Sequence, residues 1–331
     1  MKNEIKMVKL LRSIVLSMLM LIAIGCSDDQ NNELGSDNEV VSLDAQNSIV
    51  RLTVDDVEIP VYLSIPDCEG PVPAVVVLHG SNGMWRDNDP NSQEMSGQFV
   101  EWRDLLLNNC IAAAFVDSYS PRGVTTRTGD LRTLPKNTII SAQFVRPKDA
   151  NTALEHLRLL KDSNGKKMIQ EGNISVLGFS DGASAAVSTL IDLSKVPSDF
   201  EWTQSANGIV YDESDGVLPP PNQPNLGFAS GVFYYGGHIG YNYWGRQPCG
   251  LESLEDNIYM PYAPVLYHVP SEDSLSENTL CMLNVLNRKG APITLEYYPG
   301  APHGFDFDDI PESDIARERT LEWLRTTWTN P

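Results

Sequence analysis

The sequence predicts an α/β protein built on a mainly parallel, twisted sheet of about eight strands with helices on both faces. Three observations carry this. Short apolar runs rich in β-branched residues recur along the chain, stretches with apolar residues at every third or fourth position lie between them, and a hairpin pattern of period two precedes both. Continuous apolar runs suit strands buried on both faces of a parallel sheet. Strand and helix in alternation require crossover helices that cover both sides.

The hairpin spans 49–65, where Ile-Val-Arg-Leu-Thr-Val and Glu-Ile-Pro-Val-Tyr-Leu-Ser-Ile alternate on either side of a short Asp-Asp turn. Apolar runs follow at 74–78, 111–116, 174–177, 232–235 and 265–267, and an alternating segment at 293–298 is the expected last strand. Helical periodicity occupies 93–107, 148–160, 183–193, 275–287 and 315–326. One stretch breaks the alternation: around 196–227 the chain carries Pro219-Pro220-Pro221 and Pro224 among Asp, Ser, Asn and Gly. Proline cannot donate to a central ladder, so this stretch reads as a surface insertion and not a strand.

The first 25 residues have the composition of an address. Lys2, Lys6, Lys9 and Arg12 form a basic start, and 14–24 is apolar apart from Ser17, too short for an ordinary membrane span. The run ends in Ala23-Ile24-Gly25-Cys26, which resembles a bacterial lipobox and implies cleavage before Cys26 and acylation of its thiol. The alternative is an ordinary secretory signal that contains a cysteine. Residues 26–44 are polar and acidic with little to bury, and read as a disordered tether between lipid and domain. The expected location is the bacterial cell envelope, with the lipid at Cys26 as the membrane contact.

From residue 45 to 331 the chain is long enough for one large α/β domain, and no second low-complexity linker divides it. Loss of residues 1–25 would move the net charge from −20 to −23, leaving 20 basic against 43 acidic side chains. A field of that sign repels polyanions, so nucleic acid is not an expected partner. Cys68, Cys110, Cys249 and Cys281 can pair in three ways in an oxidising compartment. They lack the close spacing of a structural zinc site, so no metal is expected.

Chemistry concentrates at Gly178-Phe179-Ser180-Asp181-Gly182, a G-x-S-x-G sequence where a buried strand ends and the small-residue helix Ala183-Ser184-Ala185-Ala186 begins. Such a turn points the serine hydroxyl out of the sheet edge, with a helix N-terminus behind it to face an oxyanion. Three fixed positions arise by chance in about one chain in ten of this length, so the rest of the chain must supply partners. A hydroxyl is a weak nucleophile without a base in reach. His303, after the last expected strand in Tyr298-Pro299-Gly300-Ala301-Pro302-His303-Gly304-Phe305, is the expected base, whereas His156 and His268 fall within a helix and a strand and read as structural. The acid that orients the imidazole belongs after the strand at 265–267: Asp273 is expected, with Glu272 as the alternative. Oxyanion donors are the backbone N–H groups of Asp181 and, from His79-Gly80-Ser81-Asn82-Gly83, Ser81, with Gly80 and Asn82 close behind; His79 itself reads as a brace for this loop. The opening hairpin, the alternation and the order Ser, Asp, His are those of the α/β-hydrolase fold.

At this point the chain resembles the dienelactone hydrolase family from about residue 73 to its end. The likeness rests on His-Gly-Ser-Asn-Gly at 79–83, Val-Asp-Ser-Tyr-Ser-Pro-Arg-Gly at 116–123, Gly-Phe-Ser-Asp-Gly at 178–182, Val-Phe-Tyr-Tyr-Gly at 232–236 and Tyr-Pro-Gly-Ala-Pro-His-Gly-Phe at 298–305. The resemblance implies hydrolysis of esters or lactones through an acyl-enzyme, without metal or organic cofactor. Founding members carry cysteine where Ser180 stands, which moves the expectation toward ordinary carboxylic esters, small-molecule or glycan. Arg122 is similar to an arginine that some members use to hold a substrate carboxylate; bracing of the Pro-Arg-Gly loop is the other reading. Tyr235 and Trp244, with Tyr241 and Tyr243, read either as an aromatic wall for a substrate or as packing. The resemblance further implies a Cys249–Cys281 disulfide and, since the flanking strands are antiparallel neighbours in this fold, Cys68–Cys110. Two other functions remain open at this stage, a peptidase on the same fold and a lipid-anchored binding protein on a hydrolase scaffold.

Overall fold

The computed structural model describes residues 40–124, 142–206, 209–215, 217–219, 227–237 and 257–328, all within one of two units of the chain, Asn38–Pro331. In chain order these residues form strands β1 (Val40–Ser42), β2 (Asn47–Val54), β3 (Val57–Ser64) and β4 (Val72–Leu78), helix α1 (Gly97–Asn108), β5 (Ala112–Val116), α2 (Arg146–Leu159), β6 (Ile169–Phe179) and α3 (Asp181–Thr189). They continue with the short β7 (Gln204–Ala206) and β8 (Ile209–Tyr211), then β9 (Gly231–Tyr234), β10 (Val265–Glu272), α4 (Ser276–Arg288), β11 (Ile293–Pro302) and α5 (Pro311–Thr327). Nine strands share one sheet in the order β1-β2-β3-β5-β4-β6-β9-β10-β11. From β5 across to β11 every neighbouring pair is parallel, and β1, β2 and β3 add an antiparallel flank.

Strand β4 shows how the layers arise. Ala74, Val76 and Leu78 enter one buried cluster and Val75 and Val77 the other, because alternate side chains of a strand point to opposite faces. Helices α2, α3 and α4 supply Ala150, Leu154, Ala183, Val187, Met282 and Leu286 to the first cluster. Helices α1 and α5 supply Phe99, Trp102, Leu106, Ala316 and Leu324 to the second. Both sheet faces are therefore covered, which is why these strands read as unbroken apolar runs. The β2–β3 hairpin turns at Asp55 and Asp56, both left-handed with φ of 47° and 63°, the pairing of conformations that matches the twist of two-residue hairpins.

The structure corrects the sequence reading in two places. The sheet has nine strands where about eight were expected, and the extra one falls in the segment assigned to the tether: Val40–Ser42 pairs with β2, Val40 opposite Val50. Two valines suffice for an edge strand, a signal lost inside an acidic window, and the Asp44 carboxylate then closes the following turn by accepting from the amides of Gln46 and Asn47 at 2.8 Å each. The insertion at about 196–227, expected to hold no strand, contains the β7–β8 hairpin, which forms a sheet of its own. Pro197 precedes the hairpin and Pro219-Pro220-Pro221 and Pro224 follow Tyr211, so no proline lies within the paired residues. Tyr211 and Val217 are buried in the same cluster as α2 and α3.

Cys68 and Cys110 form a disulfide with a Cα separation of 6.0 Å across 42 positions, at the end of the β3–β5 antiparallel pair. Cys281 is disulfide-bonded, and Cys249 lies outside the described residues, as do Cys26, the signal segment 1–25 and the tether up to residue 39. Among the described residues no helix is long and apolar enough to cross a membrane.

Two stability measurements follow from these features. A Cys68→Ser/Cys110→Ser double variant frees a loop of 42 positions and should lose about 2–4 kcal/mol of stability, seen as a lower denaturation midpoint. Two fully buried histidines, His79 and His268, contribute to the pH dependence, because burial pushes their pKa down to about 4 and about 3. Unfolding restores an ordinary imidazole that binds a proton near pH 6.5. Stability is thus full above that value and falls as pH drops toward 4 and 3, by about 1.4 kcal/mol per pH unit for each histidine. Urea titrations between pH 7 and 5 should show this decline, and a His268→Gln variant should flatten it.

Candidate functional site

The end of β6 meets α3 at Ser180, whose backbone is left-handed with φ 52° and ψ −115°. Two glycines make that turn possible. A Cβ at position 178 would lie 2.0 Å from the carbonyl oxygen of Gly182, and one at 182 would lie 2.1 Å from that of Leu78. The Ser180 amide donates to the Tyr234 carbonyl at 2.9 Å, so the serine stands over the carboxyl ends of β4, β6 and β9. Open parallel sheets place their ligand crevices at this edge.

His303 follows β11 and Asp273 follows β10. The structure brings the three side chains into one chain of hydrogen bonds: His303 Nε2 lies 3.1 Å from Ser180 Oγ, and His303 Nδ1 lies 2.7 Å from Asp273 Oδ2. The other carboxylate oxygen of Asp273 accepts from the Leu275 amide at 2.9 Å. This fixes its orientation. The Asp273 side chain is 3% exposed and that of His303 is 43% exposed, so the acid is sheltered while the imidazole opens to solvent. With Nδ1–H given to the carboxylate, Nε2 is left to accept the serine proton. Glu272, the alternative acid, lies beside the Ser271 hydroxyl at 3.3 Å on the exposed side.

The two segments expected to supply oxyanion donors also converge here. Asp181 opens α3, where the first helical N–H groups lie outside the intrahelical ladder. Gly80 packs so closely that a Cβ there would touch Ser180 Cβ at 3.3 Å, which brings the 79–83 loop against the same turn. Arg146, at the start of α2 and fully buried, ties the two segments together. It donates to Asp181 Oδ2 at 2.6 Å and to the His79 carbonyl at 2.7 Å. Tyr119 adds a bond from its hydroxyl to the same carboxylate oxygen at 2.9 Å. His79 braces the loop through Nδ1, which donates to the Gly80 carbonyl at 2.8 Å, and its ring meets Tyr119 edge-on. Nothing in the sequence marked Arg146, which sits just ahead of the expected helix and looks like any surface arginine.

Two expectations about substrate contacts are corrected. Arg122 is committed to Asp149 through a two-pronged ion pair at 2.8 and 2.9 Å and to the Ser118 carbonyl at 2.7 Å. It is the loop brace and not a free guanidinium. Tyr235 is 4% exposed and sends its hydroxyl into the protein, to Asp306, so it offers substrate almost no surface. Trp244, with Tyr241 and Tyr243, lies outside the described residues. Among the described residues no group of three His, Cys, Asp or Glu side chains is arranged to hold a metal ion.

Searches of family models and of curated proteins find no match to the chain. Solved structures do match. A protein from Klebsiella pneumoniae subsp. pneumoniae named as a dienelactone hydrolase superposes with a TM-score of 0.54 at 17% identity, over 87% of this chain and 99% of its own. Esterase 2 of Thermogutta terrifontis, in its apo form, gives 0.52 at 17% identity over 89% and 97%. A dienelactone hydrolase-like promiscuous phosphotriesterase from metagenomic libraries gives 0.52 at 14% identity over 85% and 98%. Together with the strand order, these likenesses establish the α/β-hydrolase fold for the chain.

Removing the arginine that spans the site gives a direct test of its role. Arg146→Met leaves the Asp181 carboxylate without its ion-pair partner in a place where both are nearly buried. It should cost roughly 3–5 kcal/mol, measured by urea denaturation.

Proposed function

We propose that the chain is a serine hydrolase that cleaves carboxylic esters or lactones through a covalent acyl-enzyme. One observation carries this reading: the unbroken hydrogen-bonded line from Ser180 Oγ through His303 to the sheltered Asp273 carboxylate, at the tip of a strained strand-to-helix turn. The fold adds support, since similar structures include esterases, one of them phosphorylated by paraoxon. In this reading Ser180 Oγ attacks the ester carbonyl while its proton passes to His303 Nε2. Asp273 stabilises the imidazolium. The amides of Asp181 and Ser81 and the N-terminal end of α3 stabilise the tetrahedral oxyanion. His303 then gives the proton to the leaving alcohol, and the acyl group stays on Ser180. Water enters, His303 takes its proton, and the second tetrahedral intermediate collapses to release the acid and restore the serine.

The sequence supplies the proposed setting. The lipobox-like ending at Cys26 supports a lipid anchor on the cell envelope, with small-molecule or glycan esters as the proposed substrates.

Ser180→Ala should lower turnover of a p-nitrophenyl ester by about 10⁴ to 10⁶ and abolish labelling by a fluorophosphonate probe. A wild-type protein that does not react with the probe, or an alanine variant that still does, would overturn the assignment.

A further inference from the structure

Behind the imidazole lies a buried polar cluster that the proposed reaction does not use. Asp306, three residues beyond His303, is completely buried. Its carboxylate accepts from Trp102 Nε1 at 2.7 Å, from Gln98 Nε2 at 3.0 and 3.1 Å, and from the Tyr235 hydroxyl. Gln98 also donates to the Tyr235 hydroxyl oxygen at 2.7 Å. Helix α1, the end of β9 and the loop after β11 thus meet at one carboxylate. Isolating a carboxylate from water is costly, and an apolar cluster of the same shape would hold three elements together as well.

Tyr235 itself is strained. Its φ of 39° is left-handed, a conformation that a bulky side chain resists and glycine accepts. The turn it makes brings Gly236 against the nucleophile, where a Cβ would lie 2.8 Å from the Ser180 carbonyl oxygen. It also sends the phenol ring to His303, with centroids 4.7 Å apart and planes at 61°. The peptide group ahead of the ring is held on both sides as well, by Ser180 N to the Tyr234 carbonyl and Tyr235 N to the His268 carbonyl. Strain kept at such a place points to a task for the side chain.

We propose that Tyr235 is a positioning residue: its ring, anchored through its hydroxyl by the buried Asp306 carboxylate, holds the imidazole of His303 in line between Ser180 and Asp273. The role rests on the serine-hydrolase reading above. His303 is half exposed on its open side, and its tie to Asp273 is a single bond about which the ring can swing. The Tyr235 ring closes that swing from within the protein, and Asp306 keeps the tyrosine from following it.

Tyr235→Phe keeps the ring and frees it from its anchor, and Asp306→Asn keeps the shape of the anchor and removes its charge. Each is expected to lower kcat on a p-nitrophenyl ester by about ten- to a hundredfold, with KM within about threefold and a fluorophosphonate labelling rate that falls in step with kcat. The downfield proton resonance of His303 Nδ1 should broaden in both. A rise in KM with kcat unchanged would mean that Tyr235 touches substrate, and wild-type kcat in both variants, or a kcat loss with the resonance unchanged, would also overturn the proposal. If wild type labels and Ser180→Ala does not while Tyr235→Phe turns over normally, the positioning role falls and the hydrolase stands. If wild type never labels, both fall.

Discussion

The structure depends on a close approach of three backbones around residue 182. Leu78 ends β4, Gly178 lies near the end of β6, and Gly182 is the second residue of α3, and a single extra carbon at 178 or 182 would lie about 2 Å from a carbonyl oxygen. Because no side chain intervenes, the helix starts directly against two strand ends, and Ser180 is forced out of the sheet edge in a left-handed conformation. Everything placed near the serine afterwards, including the loop at 79–83, the turn at 235–236 and the ends of β10 and β11, is measured from that contact. The parallel order of β4, β6, β9, β10 and β11 then brings Asp273 and His303 to the same edge, although they lie far along the chain. The expelled serine would be of little use without that order.

Two buried polar clusters flank the turn, and they differ in chemistry. On the side of α2, positive charge is buried: Arg146 is neutralised by Asp181 and spends its second nitrogen on the His79 carbonyl. On the side of α1, negative charge is buried: Asp306 is met by neutral donors from Trp102, Gln98 and Tyr235, while Arg317 reaches its backbone carbonyl. The first cluster grips the segments that carry backbone donors, and the second grips the loop that carries the imidazole. Burial pushes the Asp306 carboxyl above its usual range, opposed by the hydrogen bonds it accepts. Such clusters hold a single geometry because every alternative leaves a polar group unpaired.

What could be read from the sequence divides along the same line. The strands of the parallel sheet announce themselves because burial on both faces demands unbroken apolar runs, and Ser180, Asp273 and His303 were picked out because the fold delivers them at the ends of particular strands. The positions that stayed ambiguous were those whose role depends on a distant partner. Arg122 reads as a substrate contact or as a loop brace until Asp149 is seen across from it, and Tyr235 as a substrate wall or as packing until its hydroxyl is traced to Asp306, 71 positions on. Arg146 and Gln98 gave no signal, since one arginine or glutamine on a helix looks like any other. Strand β1 was hidden for a local reason, two valines within an acidic stretch. Periodicity reports which face is buried; it does not report which polar groups find one another.

Charge narrows the esters such a site would favour. The chain carries a net charge of −20, which opposes the approach of an anionic substrate over distances up to the screening length. A substrate carboxylate that reached the loop after β5 would find Arg122 already held by two bonds to Asp149, a carboxylate buried beside it. To displace that pair it would have to leave Asp149 charged, buried and without its partner, which costs several kcal/mol. The neighbouring Arg146 is bound to Asp181 through one nitrogen and to the His79 carbonyl through another, and releasing it would loosen the segments on either side of Ser180. Among the described residues, Arg122 and Arg146 on this side of the site are thus used in holding it together. Neutral esters need neither, and among the described residues the imidazole of His303 beside Ser180 is half exposed.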